Sequence, residues 1–111
     1  MSSTTAFLFP GQGAQSVGMA ADAYIASRAA RAVFDEADTV LGAALSTVIF
    51  QGPAEELVRS HNAQPAILCA SIALLRALDE RLGDASPRPA FVAGHSLGEY
   101  TALVAAGSID L

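Results

Sequence analysis

The chain has 111 residues, of which 52% are apolar and only 15% charged, with a mean hydropathy of +0.41 and a net charge of −5. Six arginines stand singly and lysine is absent, which excludes a basic stripe for nucleic acid and a phosphate loop of the Gly-Lys-Ser/Thr type. The apolar content excludes a disordered tail, and the length falls short of the roughly 200 residues common for complete α/β enzymes, so a piece of a larger domain is the expectation.

Ala6-Phe7-Leu8-Phe9 is a short apolar run closed by Pro10 and Gly11, the pattern of a strand buried on both faces of a parallel sheet. It opens into Pro10-Gly11-Gln12-Gly13-Ala14-Gln15, where two glycines let the backbone turn sharply and approach a bound group closely. A dinucleotide fingerprint is a minor alternative here, because the third glycine position holds Ser16.

Ser27 is placed to cap a helix carrying Ala30, Val33, Phe34, Ala37 and Leu41, which Gly42 ends in a left-handed turn. Pro53 starts a short helix with Leu57 and Val58 as its apolar side. A long helix is predicted from an Asn62 cap, with Pro65 in its first turn, a stripe of Leu68, Ile72, Leu75, Leu78 and Leu82, and Gly83 at its end. Residues 84–89 are a loop. Ala90-Phe91-Val92-Ala93 is a second buried strand, followed by a helix from about Leu97 to Ala106 that stops at Gly107. Strand, helices, strand and helix without a long linker make one α/β unit on parallel strands.

Gly94-His95-Ser96-Leu97-Gly98 has the Gly-x-Ser-x-Gly spacing of a nucleophile elbow, with a strand before it and a helix after it. Such a turn presents a serine hydroxyl at the strand end and leaves the Leu97 N–H at a helix start, near an oxyanion on an attacked carbonyl. A bland alternative is a tight turn whose serine only caps the helix. Glu99 reads as a first-turn acid suited to the helix dipole. Cys69 reads as a small core residue, and one cysteine with two separated histidines provides no metal-ligand spacing. His61 reads as a surface residue. The polar start, Met1 to Thr5, lacks a secretory signal, and no apolar run suffices to cross a bilayer, so a soluble cytoplasmic protein is expected.

Three ordered motifs carry a family resemblance: Pro-Gly-Gln-Gly-Ala-Gln at 10–15, Asn62-Ala63-Gln64-Pro65-Ala66, and Gly-His-Ser-Leu-Gly-Glu-Tyr at 94–100. Together they resemble the first part of malonyl-CoA:acyl carrier protein transacylases and related acyltransferase domains, over essentially the whole chain. The resemblance implies the N-terminal part, residues 1–111, of a hydrolase-like large α/β subdomain, with helices on both faces of a parallel sheet and Ser96 at the end of a central strand. It implies Ser96 as the acylated nucleophile and the Gln12 and Leu97 backbone N–H groups as the oxyanion hole. His95 is implied at most as a wall or substrate contact, and Gln64 as a substrate contact or, equally, a first-turn cap. The aliphatic Leu97 points to malonyl. The implied substrate is a coenzyme A thioester and the implied partners are acyl carrier protein and the C-terminal portion of the same enzyme. No dissociable cofactor, metal, nucleic acid or membrane is expected. The base and the arginine that binds the malonyl carboxylate are expected beyond residue 111. A methionine a few residues before the first strand favours a stand-alone fatty acid enzyme over a polyketide acyltransferase. A serine hydrolase with the same elbow is the remaining alternative.

Overall fold

A computed structural model describes residues 5–111; residues 1–4, on which the reading of the polar start rests, lie outside it. Strand β1 (Ala6–Phe9) leaves through the glycine loop to helix α1 (Ala21–Ala26), followed by α2 (Arg28–Leu41), α3 (Leu45–Gln51), α4 (Ala54–Leu57) and the long α5 (Ser60–Leu82). A short 3-10 turn, Gly83–Ala85, precedes β2 (Phe91–Gly94), which runs into α6 (Leu97–Ala105). The two strands pair in parallel, with Ala6 opposite Phe91 and Phe9 opposite Gly94, so both deliver their following loops to the same end of the sheet.

The caps explain where α2 begins and ends. Ser27 Oγ accepts from the Ala30 N–H at 3.1 Å, and Gly42 closes the helix at φ 65°, its N–H directed at the Asp38 and Thr39 carbonyls. The Glu80 carboxylate on α5 adds a second cap, accepting from Ser27 Oγ at 2.6 Å and Ala29 N at 2.7 Å. Pro53 stands at the cap position of α4 as expected, although Val58 beyond it is exposed.

Helix α5 differs from expectation at its start. It begins two residues before Asn62, whose side chain instead donates to the Glu56 carbonyl at 2.9 Å and so ties the α4–α5 corner together. Its core face differs too. Of the predicted stripe only Ile72 is buried, while Ala63, Ala66, Ile67, Cys69, Ala70 and Ala73 form the contact surface. The reason is placement: α5 packs against α2 on one side and α6 on another, and small side chains let helix backbones approach where a single leucine stripe would hold them apart. Phe34, Ile49, Leu57 and Ile72 are fully buried in this core, and Tyr24, Phe34 and Phe50 pack with ring centroids 5.0–5.7 Å apart.

Within these residues the strands have one covered and one open face. Phe7, Phe9 and Val92 are half-buried, whereas Leu8 and Phe91 on the opposite face are 77% and 76% exposed. Among the described residues the sheet has two strands and α6 packs on it. Alternate residues of a strand point to opposite faces, and only the face toward the helices is covered.

Candidate functional site

The site is built where the two strand-end loops meet. Ser96 stands between β2 and α6 with φ 56° and ψ −112°, a backbone conformation that a side chain adopts only when its surroundings impose it. The turn is held by Gly98 N donating to the His95 carbonyl at 3.0 Å and Glu99 N to the Ser96 carbonyl at 2.9 Å. Its glycines are required by close approach rather than by φ. A Cβ on Gly94 would lie 1.9 Å from the Gly98 carbonyl carbon and oxygen, and one on Gly98 would lie 2.2 Å from the Phe9 carbonyl oxygen. That second contact brings the turn against the end of β1.

The glycine loop is seated against the same turn. A Cβ on Gly11 would fall 2.3 Å from the His95 carbonyl oxygen, and His95 N donates to the Phe9 carbonyl at 3.2 Å. Ser96 is exposed, and its hydroxyl has no hydrogen-bond partner among the described residues. The backbone N–H groups of Gln12 and Leu97 likewise meet no acceptor among the described residues, although their neighbours do: Gly13 N donates to Gln15 Oε1 at 2.8 Å and Gly98 N to His95. A free hydroxyl on one loop end and free amides on both are the parts from which an acyl-transfer site is made.

Gln12, His95, Ser96 and Leu97 lie in the two adjoining loops or at the first residue of α6. Gln64 sits near the start of α5 and reaches the loop, donating through Nε2 to Gln12 Oε1 at 3.4 Å. Sequence reasoning missed Ser60, whose Oγ accepts from Gln12 Nε2 at 2.9 Å; no local pattern signals a contact across 48 positions. His61 is exposed at the start of α5. A shallow depression of about 280 Å³, lined by Leu8, Phe9, Ala93, Gly94 and His95, runs along the open sheet face to the turn.

Other chemistry is poorly served. Burial pushes the Cys69 thiol up to about 12, and the nearby Asp38 carboxylate adds to the effect, so the thiol stays protonated at neutral pH. Among the described residues no group of His, Cys, Asp and Glu could hold a metal ion, and no helix is long and apolar enough to cross a membrane.

Residues 6–111 match the acyl transferase domain family, and the chain belongs to that family. Particular relatives narrow the class. The chain is 53% identical over 108 residues to the malonyl CoA-acyl carrier protein transacylase of Bacillus subtilis (strain 168), a match covering 97% of this chain and 33% of that protein. FabD from Acinetobacter baumannii superposes with a TM-score of 0.88 at 47% identity, over 100% of this chain and 34% of that one. A type II PKS acyl-carrier protein in complex with its malonyl-transacylase gives a TM-score of 0.86 at 48% identity, covering 95% of this chain and 33% of the solved one. The chain therefore spans about a third of the length of these relatives.

Proposed function

We propose that the protein containing this chain transfers a malonyl group from malonyl-CoA to the phosphopantetheine thiol of acyl carrier protein, and that residues 1–111 form the N-terminal part of its large α/β subdomain. The observation that carries the proposal is the exposed Ser96 at φ 56°, set beside the Gly11 loop with the Gln12 and Leu97 N–H groups unpaired.

In this reading Ser96 Oγ attacks the thioester carbonyl and gives up its proton to a base. The Gln12 and Leu97 amides stabilise the tetrahedral oxyanion, which collapses by breaking the C–S bond and releasing protonated coenzyme A. The thiol of acyl carrier protein then attacks the malonyl ester, and Ser96 regains its proton as the product leaves. The relative solved as a complex of an acyl-carrier protein with its malonyl-transacylase supports the choice of acceptor. Neither histidine here is cast as the base: His61 lies on α5, and His95 is locked into the turn next to Ser96. The base belongs to the remainder of the protein, as does the cation for the malonyl carboxylate. Leu97 fits an aliphatic position beside a malonyl group.

Intact-mass measurement of the full-length protein mixed with malonyl-CoA tests this. A malonyl adduct on Ser96 that acyl carrier protein discharges is the expected result. No adduct would refute the acyl-enzyme, and rapid release of free malonate without loading of the carrier would make the protein a hydrolase.

A further inference from the structure

The glycine loop has fixed ends and a pinned middle. Phe9 is held in the sheet, and Gly18 N donates to the Ile49 carbonyl on α3 at 2.7 Å. Between them Gly11 is trapped against His95, and a turn closes around Gln12, with Ala14 N donating to the Gly11 carbonyl at 3.2 Å and Gly13 N to Gln15 Oε1 at 2.8 Å. The Gln12 side chain ties this turn to the rest of the molecule. Both ends of the carboxamide are engaged by α5: Nε2 donates to Ser60 Oγ at 2.9 Å, and Oε1 accepts from Gln64 Nε2 at 3.4 Å.

The anchor is rigid. Ser60 opens a 23-residue helix whose next turns are buried at Ala63, Ala66 and Ile67, and Asn62 locks the corner to α4. A side chain tethered at its tip restricts its rotamers and with them the φ of its own residue. With the carboxamide held on α5 and Gly11 held against His95, the Gln12 Cα and the Gly11–Gln12 peptide that carries the Gln12 N–H are fixed from both sides.

We infer that Ser60 is a positioning residue, its hydroxyl clamping the Gln12 carboxamide so that the Gln12 backbone N–H stays directed at the acyl oxygen. The inference rests on the acyl-enzyme reading for its catalytic consequence, but not for the clamp itself. Ser60 acts through Gln12 and touches no reacting atom. Gln64, taken from sequence as a substrate contact or a cap, is the second jaw of the same clamp.

The test uses the full-length protein with Ser60→Ala and Ser60→Thr. Three quantities are followed: the single-turnover rate and the KM of Ser96 malonylation, and hydrogen exchange of the backbone amides in residues 11–15. Ser60→Ala should slow acylation about three- to tenfold, the worth of one neutral hydrogen bond. This is well short of the about 10²–10³-fold expected for losing an oxyanion donor outright. KM should stay within about twofold, exchange in the loop should rise, and Ser60→Thr, which keeps the hydroxyl, should restore both. A wild-type acylation rate in Ser60→Ala overturns the positioning role, as does a raised KM with an unchanged rate, which would make Ser60 a substrate contact. If the wild-type protein forms no adduct, the functional reading fails by itself. Exchange then still decides the clamp, unchanged protection of residues 11–15 in Ser60→Ala overturning it.

Discussion

Replacing Gly94 by alanine places a methyl group inside the backbone of the turn that carries Ser96. Its carbon would stand 1.9 Å from both the carbonyl carbon and oxygen of Gly98 and 2.5 Å from the Glu99 nitrogen. These are main-chain atoms, so no rotamer change clears the contact. Ordinary carbon contacts begin at about 3.5 Å, which requires β2 and the start of α6 to separate by about 1.5 Å. In a packed structure such a shift costs about 1–3 kcal/mol or more, and a displacement of about 1 Å at a reacting group costs about 10²-fold in rate. Gly42→Ala is the matched comparison. Gly42 has φ 65° and nothing within 4 Å of its Cβ position, so alanine there meets only the left-handed penalty of about 1–2 kcal/mol, far from the turn. Urea unfolding and single-turnover malonylation of the full-length protein measure the two effects separately. Gly94→Ala should lose about 2–3 kcal/mol and at least about 10²-fold in acylation, whereas Gly42→Ala should lose stability alone. The reasoning fails if Gly94→Ala unfolds with the wild type and acylates within a few-fold of it.

The remaining expectations concern the strain at Ser96 and the second cap of α2. Ser96→Gly and Ser96→Ala should both abolish the adduct, but glycine accommodates φ 56° without strain, so Ser96→Gly should be the more stable of the two by about 1 kcal/mol; equal unfolding midpoints would count against backbone strain. The hydroxyl of Ser27 and the amide of Ala29 hold the Glu80 carboxyl below its ordinary value of 4.5. A lowered acid contributes stability that is complete above 4.5 and fades as pH falls through the lower folded value. Wild type should therefore exceed Glu80→Gln in thermal midpoint at neutral pH, the gap closing in acid, and a gap independent of pH would show that the charge is not its source.

The features legible before folding are local ones. The two short apolar runs, the Ser27 and Gly42 caps and Gly94 of the turn act within a few residues of themselves, so their conformations follow from steric and hydrogen-bonding rules that need no knowledge of the fold. Helix α3 shows where this stops. Leu45-Ser46-Thr47-Val48-Ile49-Phe50-Gln51 is rich in residues that favour strands, and it is helical because Leu45 and Ile49 are buried in the helical core. The Asn62 cap failed for the same reason: the Glu56 carbonyl, brought near by the α4–α5 corner, is the partner the side chain takes instead. It took the folded chain to bring Gly11 against His95, Gly98 against Phe9 and Ser60 onto Gln12. Such contacts join residues tens of positions apart, and their energy is collected only after the intervening helices have closed the loop between them.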